Sequence, residues 1–469
     1  MSRTKTKFTY IDLFAGCGGL SLGLETQGGE LLLAVERSPM AAETFFHNLV
    51  SPIPDSNFWA DYVKQPLAKQ VESRVLVSEL GNLLEDSLQV GKLRDQHPDV
   101  VVGGPPCQGF SLAGRRNPED KRNQLPWQFL ELVEQTNPKM VIIENVVGMR
   151  HKFSADQPEA VFDQLQQALR ETGSGYEVQA VEVNALHYGA PQHRPRLMII
   201  GLRSDLARHT GVSSTGKLWK SDFVESAGDI PPLAPRPTVN TRDVQTVRDA
   251  ISDLSQESHA GKRGKKTTFQ KLMDDSSKWA VTSKDSKRLL NHVTRNHQSH
   301  AIDRFRIYQC LAAAGLDAKI LAKIAVIEET EARRVLELAL KDLKYPCTAP
   351  DGTVLARNLK EFVEVCWSAR TKKHSQKVLP WDQPSRTVVT IGDDYVHPEE
   401  PRTFTVRELA RFQGFPNSFE FRAKETTGGL NRRNEVPQYS QVGNAVSPFL
   451  ALAVGEMVTR VLEGSLTNA

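Results

Sequence analysis

Residues with chemical capacity stand at the ends of apolar runs in this chain. Val100-Val101-Val102 is stopped by Gly103-Gly104-Pro105-Pro106, and Cys107-Gln108-Gly109-Phe110-Ser111 follows at once. Valines favour a buried strand, and the glycine-proline turn forces the chain out of the sheet. Such a turn would present the Cys107 thiol at a strand end, where α/β proteins build their sites. A free cysteine is more commonly a small core residue, but a place after the apolar run fits that reading poorly. Met140-Val141-Ile142-Ile143 ends in the same way, in Glu144-Asn145-Val146. Two strand ends thus offer a nucleophile and an acid to one rim, unless Glu144 only caps its turn. Arg194 and Arg196, at i and i+2 before the apolar run 197–200, point the same way. One would enter the site while flanking groups meet phosphate, or both would face solvent.

A second set is organised around glycine. Thr9-Tyr10-Ile11-Asp12-Leu13-Phe14-Ala15-Gly16-Cys17-Gly18-Gly19-Leu20 reads as strand, turn and helix. The glycines permit tight turning and close approach of a ligand across the strand end. The next apolar run, 30–35, ends in Glu36. An acid about twenty residues beyond such a loop suits the two hydroxyls of a ribose. No Lys-Ser/Thr phosphate signature follows, so the expected ligand is a nucleoside without a triphosphate. Asp61, after Phe58-Trp59, would reach its base or be a solvated loop acid.

The elements that must position these residues alternate between strand and helix, with a helix expected over 158–171 and a strand over 177–183, which implies an α/β fold. Residues 62–97 read as a polar, partly helical insertion. Arg115, Arg116, Asp120, Lys121, Arg122 and Asn123 form a charged loop, either solvated or a lid over the cleft. Composition changes over 204–300, with a proline-rich stretch at 231–237 and a basic run at 261–266. Residues 301–343 turn helical, as a packed pair or as a helix-turn-helix reader. Thr405 caps a helix that Gly414 and Pro416 end. Gly443-Asn444 then offers backbone to a ligand before a last apolar helix to 462.

A chain of 469 residues exceeds one small domain and implies two. Hydrophobic content of 39% and charged content of 25% describe an ordinary globular protein. No apolar run approaches a membrane span, and the short basic start leads into a strand, so the expected location is the cytoplasm. The five cysteines lack Cys-x-x-Cys spacing, which argues against a disulfide framework or a zinc site. The net charge of +3 permits a nucleic-acid partner without demonstrating one.

Taken together and in order, these motifs resemble the DNA cytosine-5 methyltransferase family. Asp12, Phe14, Ala15, Gly16, Cys17, Gly18 and Gly19 are similar to its S-adenosylmethionine loop. Glu36 resembles its ribose acid, and Asp61 stands where the adenine-contacting acid is expected. The stretch from Gly104 to Ser111 matches its nucleophile motif, and Glu144-Asn145-Val146 its acid motif. Gln192-His193-Arg194-Pro195-Arg196 resembles its Gln-x-Arg-x-Arg motif. Arg407 to Pro416 and Gln441 to Val446 match its closing motifs.

The resemblance implies a doubly wound, Rossmann-like methyltransferase domain with a smaller target-recognition domain. The expected division is 1–203 catalytic, 204–400 target recognition, 401–436 joining, and 437–469 returning to the catalytic domain. It makes Cys107, Glu144, Arg194 and Arg196 catalytic. Pro106, Asn444 and Ala445 join the cofactor set, and Gln108, Ser111, Arg115 and Arg116 meet the substrate. The cofactor is S-adenosylmethionine, leaving S-adenosylhomocysteine, and no metal is expected. The partner is double-stranded DNA, whose target cytosine is flipped out and held in a covalent Cys107–C6 adduct. Membership of a restriction-modification system with a cognate restriction endonuclease, or an orphan methylase without one, a monomeric state and a nucleoid-associated cytoplasmic location complete the expectation. The alternatives are an RNA (tRNA) cytosine-5 methyltransferase and a catalytically silent DNA-binding regulator. The chain lacks the Cys-Phe-Thr tripeptide of tRNA-acting relatives, and it keeps both Cys107 and Glu144.

Overall fold

A computed structural model describes residues 7–106, 124–150, 160–255, 265–283, 289–427 and 434–467, with side chains to 464. Eight strands form the main sheet: β1 (Phe8–Leu13), β2 (Gly29–Val35), β3 (Val75–Leu76), β4 (Val100–Gly103), β5 (Met140–Asn145), β6 (Tyr176–Asn184), β7 (Pro195–Arg203) and β8 (Trp219–Lys220). Their spatial order is β3-β2-β1-β4-β5-β7-β6-β8. The chain leaves β1 toward one edge and returns through β4 on the other side of it. The carboxyl ends of β1 and β4 therefore meet at the topological switch point, with Leu13 paired to Gly103. This is the doubly wound architecture that the sequence implies.

Alternation along each strand builds two layers of core. Tyr10, Val100, Val102, Met140 and Ile142 face one layer, and Ile11, Leu13, Val101, Val141 and Ile143 face the other. The first layer is covered by the Gly19–Thr26 helix and the Pro448–Thr467 helix. The second is covered by the Leu125–Thr136 and Val161–Glu171 helices. β7 runs antiparallel to both β5 and β6. The first and last helices cross closely because Gly23 has no side chain: a Cβ there would lie 2.3 Å from Ala451 Cβ and 2.5 Å from its carbonyl carbon.

Two expectations change. Residues 62–97 are more than an insertion, because β3 lies within them and pairs with Ala34 and Val35 of β2. At two residues, β3 is too short to show a period. The boundary drawn at 204 does not separate two cores. Leu233, Val247, Ile251, Phe269, Trp279, Phe404 and Phe421 pack into the first layer, whereas a separate core runs from Phe305 to Val396. Within that core the Ile320–Ile324 and Glu329–Leu340 helices pack with the Leu359–Ser368 helix around Leu321, Leu336, Leu340 and Phe362. That is the packed helical pair, extended by a third member. Among the described residues no single helix is long and apolar enough to cross a membrane.

Filling the Gly23 contact tests the closure. Gly23→Ala should destabilise the protein by about 1–3 kcal/mol, the usual cost of overpacking, and lower the thermal midpoint in calorimetry.

Candidate functional site

Three strand ends converge at the switch point. The β4 end needs both of its glycines. A Cβ on Gly103 would meet Leu13 O at 2.2 Å, and one on Gly104 would meet Glu144 Oε2 at 3.0 Å. The Pro105-Pro106 turn is fastened to β5, because Asn145 Nδ2 donates to Pro105 O at 2.9 Å. Pro106 lies half-buried on this rim. Cys107, Gln108, Ser111, Arg115 and Arg116 lie outside the described residues, as does the rest of the charged loop to 123.

Glu144 closes β5 and is buried. Its Oε1 lies 2.9 Å from Arg196 Nε, with both side chains 11% exposed. Strand register explains the pair. Glu144 sits opposite Met198 across the antiparallel β5–β7 ladder, so Arg196 is its diagonal neighbour on the same face. Burial lowers the pKa of Arg196, and the charge and hydrogen bond of Glu144 oppose that shift.

Arg194 departs from its expected catalytic role. Its guanidinium is 1% exposed and turns away toward the C-terminal segment. Nη1 donates to Val388 O at 3.1 Å, and Nη2 donates to Gly443 O at 2.8 Å and Ala445 O at 2.9 Å. Burial holds its pKa well below the usual range, Arg196 adds to the shift, and Glu144 opposes it. Arg194 is a tie between segments, and Arg196 is the arginine of the motif that pairs with Glu144.

The glycine loop divides in two. Phe14, Ala15 and Gly16 are half-exposed on the rim, and Phe14 and Gly16 adopt φ of 56° and 57°. Among the described residues nothing lies within 4 Å of a Cβ on Gly16, so this turn has open space beside it. Cys17, Gly18 and Gly19 instead turn inward. Cys17 Sγ donates to Gln441 O at 3.6 Å, and burial pushes its thiol up to about 12. A Cβ on Gly18 would strike Leu49 and Phe45, and one on Gly19 would lie 2.3 Å from Val446 O. These three residues serve the packing of the loop.

Two carboxylates back the loop. Asp12 is 1% exposed and accepts from Ser21 Oγ at 2.5 Å. Burial pushes its pKa up to about 7 against that hydrogen bond, and the charge of Glu36 adds to the rise. Glu36 accepts from Gly16 N at 3.0 Å and from Ser38 N at 2.7 Å. Burial raises its pKa while those backbone donors oppose the rise. Asp61 is placed elsewhere: it sits on the Ser56–Val63 helix, 79% exposed, 3.3 Å from Lys64. The strand end beside Glu36 is that of β3, where Glu36 N donates to Leu76 O at 3.0 Å. Val77 and Ser78 follow it, half-buried. Their sequence signal was the triplet Val75-Leu76-Val77.

The closing motifs form the opposite wall. Asn444 is exposed, Ala445 is buried, and the turn between them lies over Gly19 through Val446. The Val406–Gln413 helix carries the capping box that Thr405 and Glu408 make, and it stops at Gly414 with φ 90°. Three glutamines were missed as linking residues. Gln192 Nε2 donates to Gln413 Oε1 at 2.9 Å, and Gln413 Nε2 donates to Val442 O at 2.7 Å. Gln441 accepts from Thr44 Oγ1 at 2.7 Å and donates to Met40 O at 3.1 Å. A buried glutamine looks like any surface glutamine in sequence; its place inside a motif was the one available signal.

Residues 8–460 match the model of the C-5 cytosine-specific DNA methylases. The chain belongs to that family. Among curated relatives it is 31% identical to the type II methyltransferase M.AgeI of Thalassovita gelatinovora, over 96% of this chain and 98% of that one. It is 27% identical to the type II methyltransferase M.DdeI of Desulfomicrobium norvegicum, over 97% of this chain and 89% of that one. A crystal structure of an E. coli prophage-encoded protein, assigned there to DNA modification methyltransferases, shares the fold. Its TM-score is 0.59 at 21% identity, covering 98% of this chain and 99% of that one. As a C-5 cytosine methylase the chain transfers a methyl group to cytosine C5 in DNA.

The Asp12 shift has a measurable consequence. The folded state holds a proton that the unfolded chain releases near 3.8, so stability falls as pH rises from there through about 7. Asp12→Asn should flatten that part of the pH profile of the ligand-free enzyme, as read by urea unfolding across the range.

Proposed function

We propose that Cys107, Glu144 and Arg196 carry methyl transfer to a flipped cytosine within a specific double-stranded DNA sequence, with S-adenosylmethionine as donor. The carrying observation is the buried Glu144–Arg196 pair beside the Gly104-Pro105-Pro106 turn that leads into Cys107. The donor fits the loop chemically. Burial raises the proton affinity of both Asp12 and Glu36, and the charge of Glu36 raises that of Asp12 further, a field that favours a cation with a ribose. Phe14, Ala15, Gly16, Glu36 and Asn444 would hold it, and Val77 and Ser78 occupy the position expected of Asp61. When bound, it supplies an electrophilic methyl on a sulfonium.

Cytosine C5 is a poor nucleophile until the ring loses its conjugation. The Cys107 thiolate adds to C6, forming a C6–S bond and making C5 enamine-like. Glu144 hydrogen-bonds N3 and the exocyclic amine, and Arg196 holds Glu144 in place and meets O2. C5 would then take the methyl carbon as its bond to the donor's sulfur breaks and the sulfur keeps that electron pair, leaving S-adenosylhomocysteine. A base removes the C5 proton, the electron pair re-forms the double bond, and the C6–S bond breaks to return Cys107. The stacked duplex hides C6, so the base must leave the helix. The separate core from Phe305 to Val396 is the natural reader of the sequence around it, with Gln108, Ser111, Arg115 and Arg116 closing on the substrate. We place the enzyme in the cytoplasm on DNA, as a monomer, with a restriction endonuclease of the same specificity as its companion.

The test is bisulfite sequencing of plasmid from a methylation-free host. Wild type should leave 5-methylcytosine in one short motif and Cys107→Ala should leave none; unmodified plasmid from both would refute the assignment. With purified enzyme, Glu144→Gln should lower kcat by on the order of 100-fold or more while leaving cofactor affinity nearly unchanged, as single-turnover assays and calorimetry would show.

A further inference from the structure

Arg194 is a buried cation whose guanidinium hydrogen bonds all go to backbone carbonyls. Among the described residues no carboxylate lies within ion-pair distance of it, and its Nε has no hydrogen-bond partner. Burying a guanidinium in this way is costly. What its planar fork achieves is geometric: one plane fixes three carbonyls.

The three carbonyls belong to two segments, around Val388 and around Asn444. Nη2 grips Gly443 O and Ala445 O, the two carbonyls on either side of exposed Asn444. Nη1 grips Val388 O, and Val388 N donates to Gln192 Oε1 at 2.6 Å. The segments touch directly as well, since a Cβ on Gly443 would lie 2.5 Å from the Val389 carbonyl carbon. The backbone of Arg194 is itself pinned, its N–H donating to Asn184 Oδ1 at 2.9 Å and its carbonyl accepting from Ala185 N at 3.1 Å. Arg196, two residues along, holds Glu144. The Asn444 turn and the strand that carries Arg196 are therefore held by one side chain.

We propose that Arg194 is a positioning residue that couples occupation of the cofactor wall at Asn444 to the setting of the Arg196–Glu144 pair that receives the base. This rests on the reading of the Asn444 turn as cofactor-binding. Because coupling is reciprocal, cofactor product should tighten DNA binding by the factor with which DNA tightens it.

The test compares wild type with Arg194→Lys, which keeps the charge and loses the fork. The probes are S-adenosylhomocysteine and a labelled duplex carrying the motif found by bisulfite sequencing. Wild type should bind duplex about 5–150-fold tighter with saturating S-adenosylhomocysteine than without. In Arg194→Lys that ratio should fall to below about twofold, a tenth or less of a mid-range coupling. A packing role alone would lower the thermal midpoint and both separate affinities but leave the ratio intact. An unchanged ratio in the variant, or a wild-type ratio near one, overturns the proposal. Wild type that binds duplex but no S-adenosylhomocysteine would instead sink the reading of the cofactor wall. Should Arg194→Lys fail to fold, hydrogen exchange on wild type decides. Duplex alone should slow exchange at 443–446, and S-adenosylhomocysteine alone should slow it at 196–199. Absence of both cross-effects overturns the coupling.

Discussion

One antiparallel strand sets the chemistry of this fold. β7 enters the sheet between β5 and β6 against the direction of β5, so its first residues arrive at the carboxyl end of its neighbour. That register alone makes Arg196 the diagonal partner of Glu144. A parallel β7 would leave its opening residues at the far edge, about 20 Å away for a six-residue ladder. A buried ion pair repays its desolvation only when geometry is good and the remaining hydrogen-bonding capacity is used. Here the strand pairing supplies the geometry before any substrate arrives. The Gly104 turn then lies against the Glu144 carboxylate, so two strand ends share one corner.

A second dependence runs between the two ends of the fold. The glycine loop is shaped as much by the C-terminal segment as by any ligand. Gly19 makes room for Val446 O, Gly23 for Ala451, and Cys17 faces Gln441 O. The rim residues Phe14, Ala15 and Gly16 are free to face a cleft because their neighbours are spent on this packing. The core from Phe305 to Val396 meets the segment before the Val406–Gln413 helix where Gln309 Nε2 donates to His397 O at 2.8 Å and Glu400 O at 2.9 Å.

The sequence made the sheet and most of the rim legible, because apolar runs ended in chemistry at Leu13, Val35, Gly103 and Ile143. Those runs were long enough for their ends to be located. β3 was not legible, since two residues carry no period, and with it went the correct neighbour of Glu36. Asp61 looked suitable by type and spacing, yet it belongs to an exposed helix. Arg194 and Arg196 were indistinguishable in sequence; only the ladder register and the closeness of Gly443 separate a carbonyl tie from a carboxylate partner. The packing of the region after 204 was hidden for a related reason. A change in composition marks loops, and here those loops return Leu233 to Trp279 to the first core.

The closure of the fold also has a cost in time. Thr44 and its partner Gln441 are separated by 397 residues. At roughly 5–20 residues per second, the ribosome needs about 20–80 s to travel that distance. Throughout that interval Leu20, Leu22 and Leu24, which belong to the core that the last helix completes, lack their final cover. The nascent chain must therefore keep an apolar helix from straying while its partner is still being made. Each new molecule passes through a period in which it is vulnerable to aggregation before it can act on DNA.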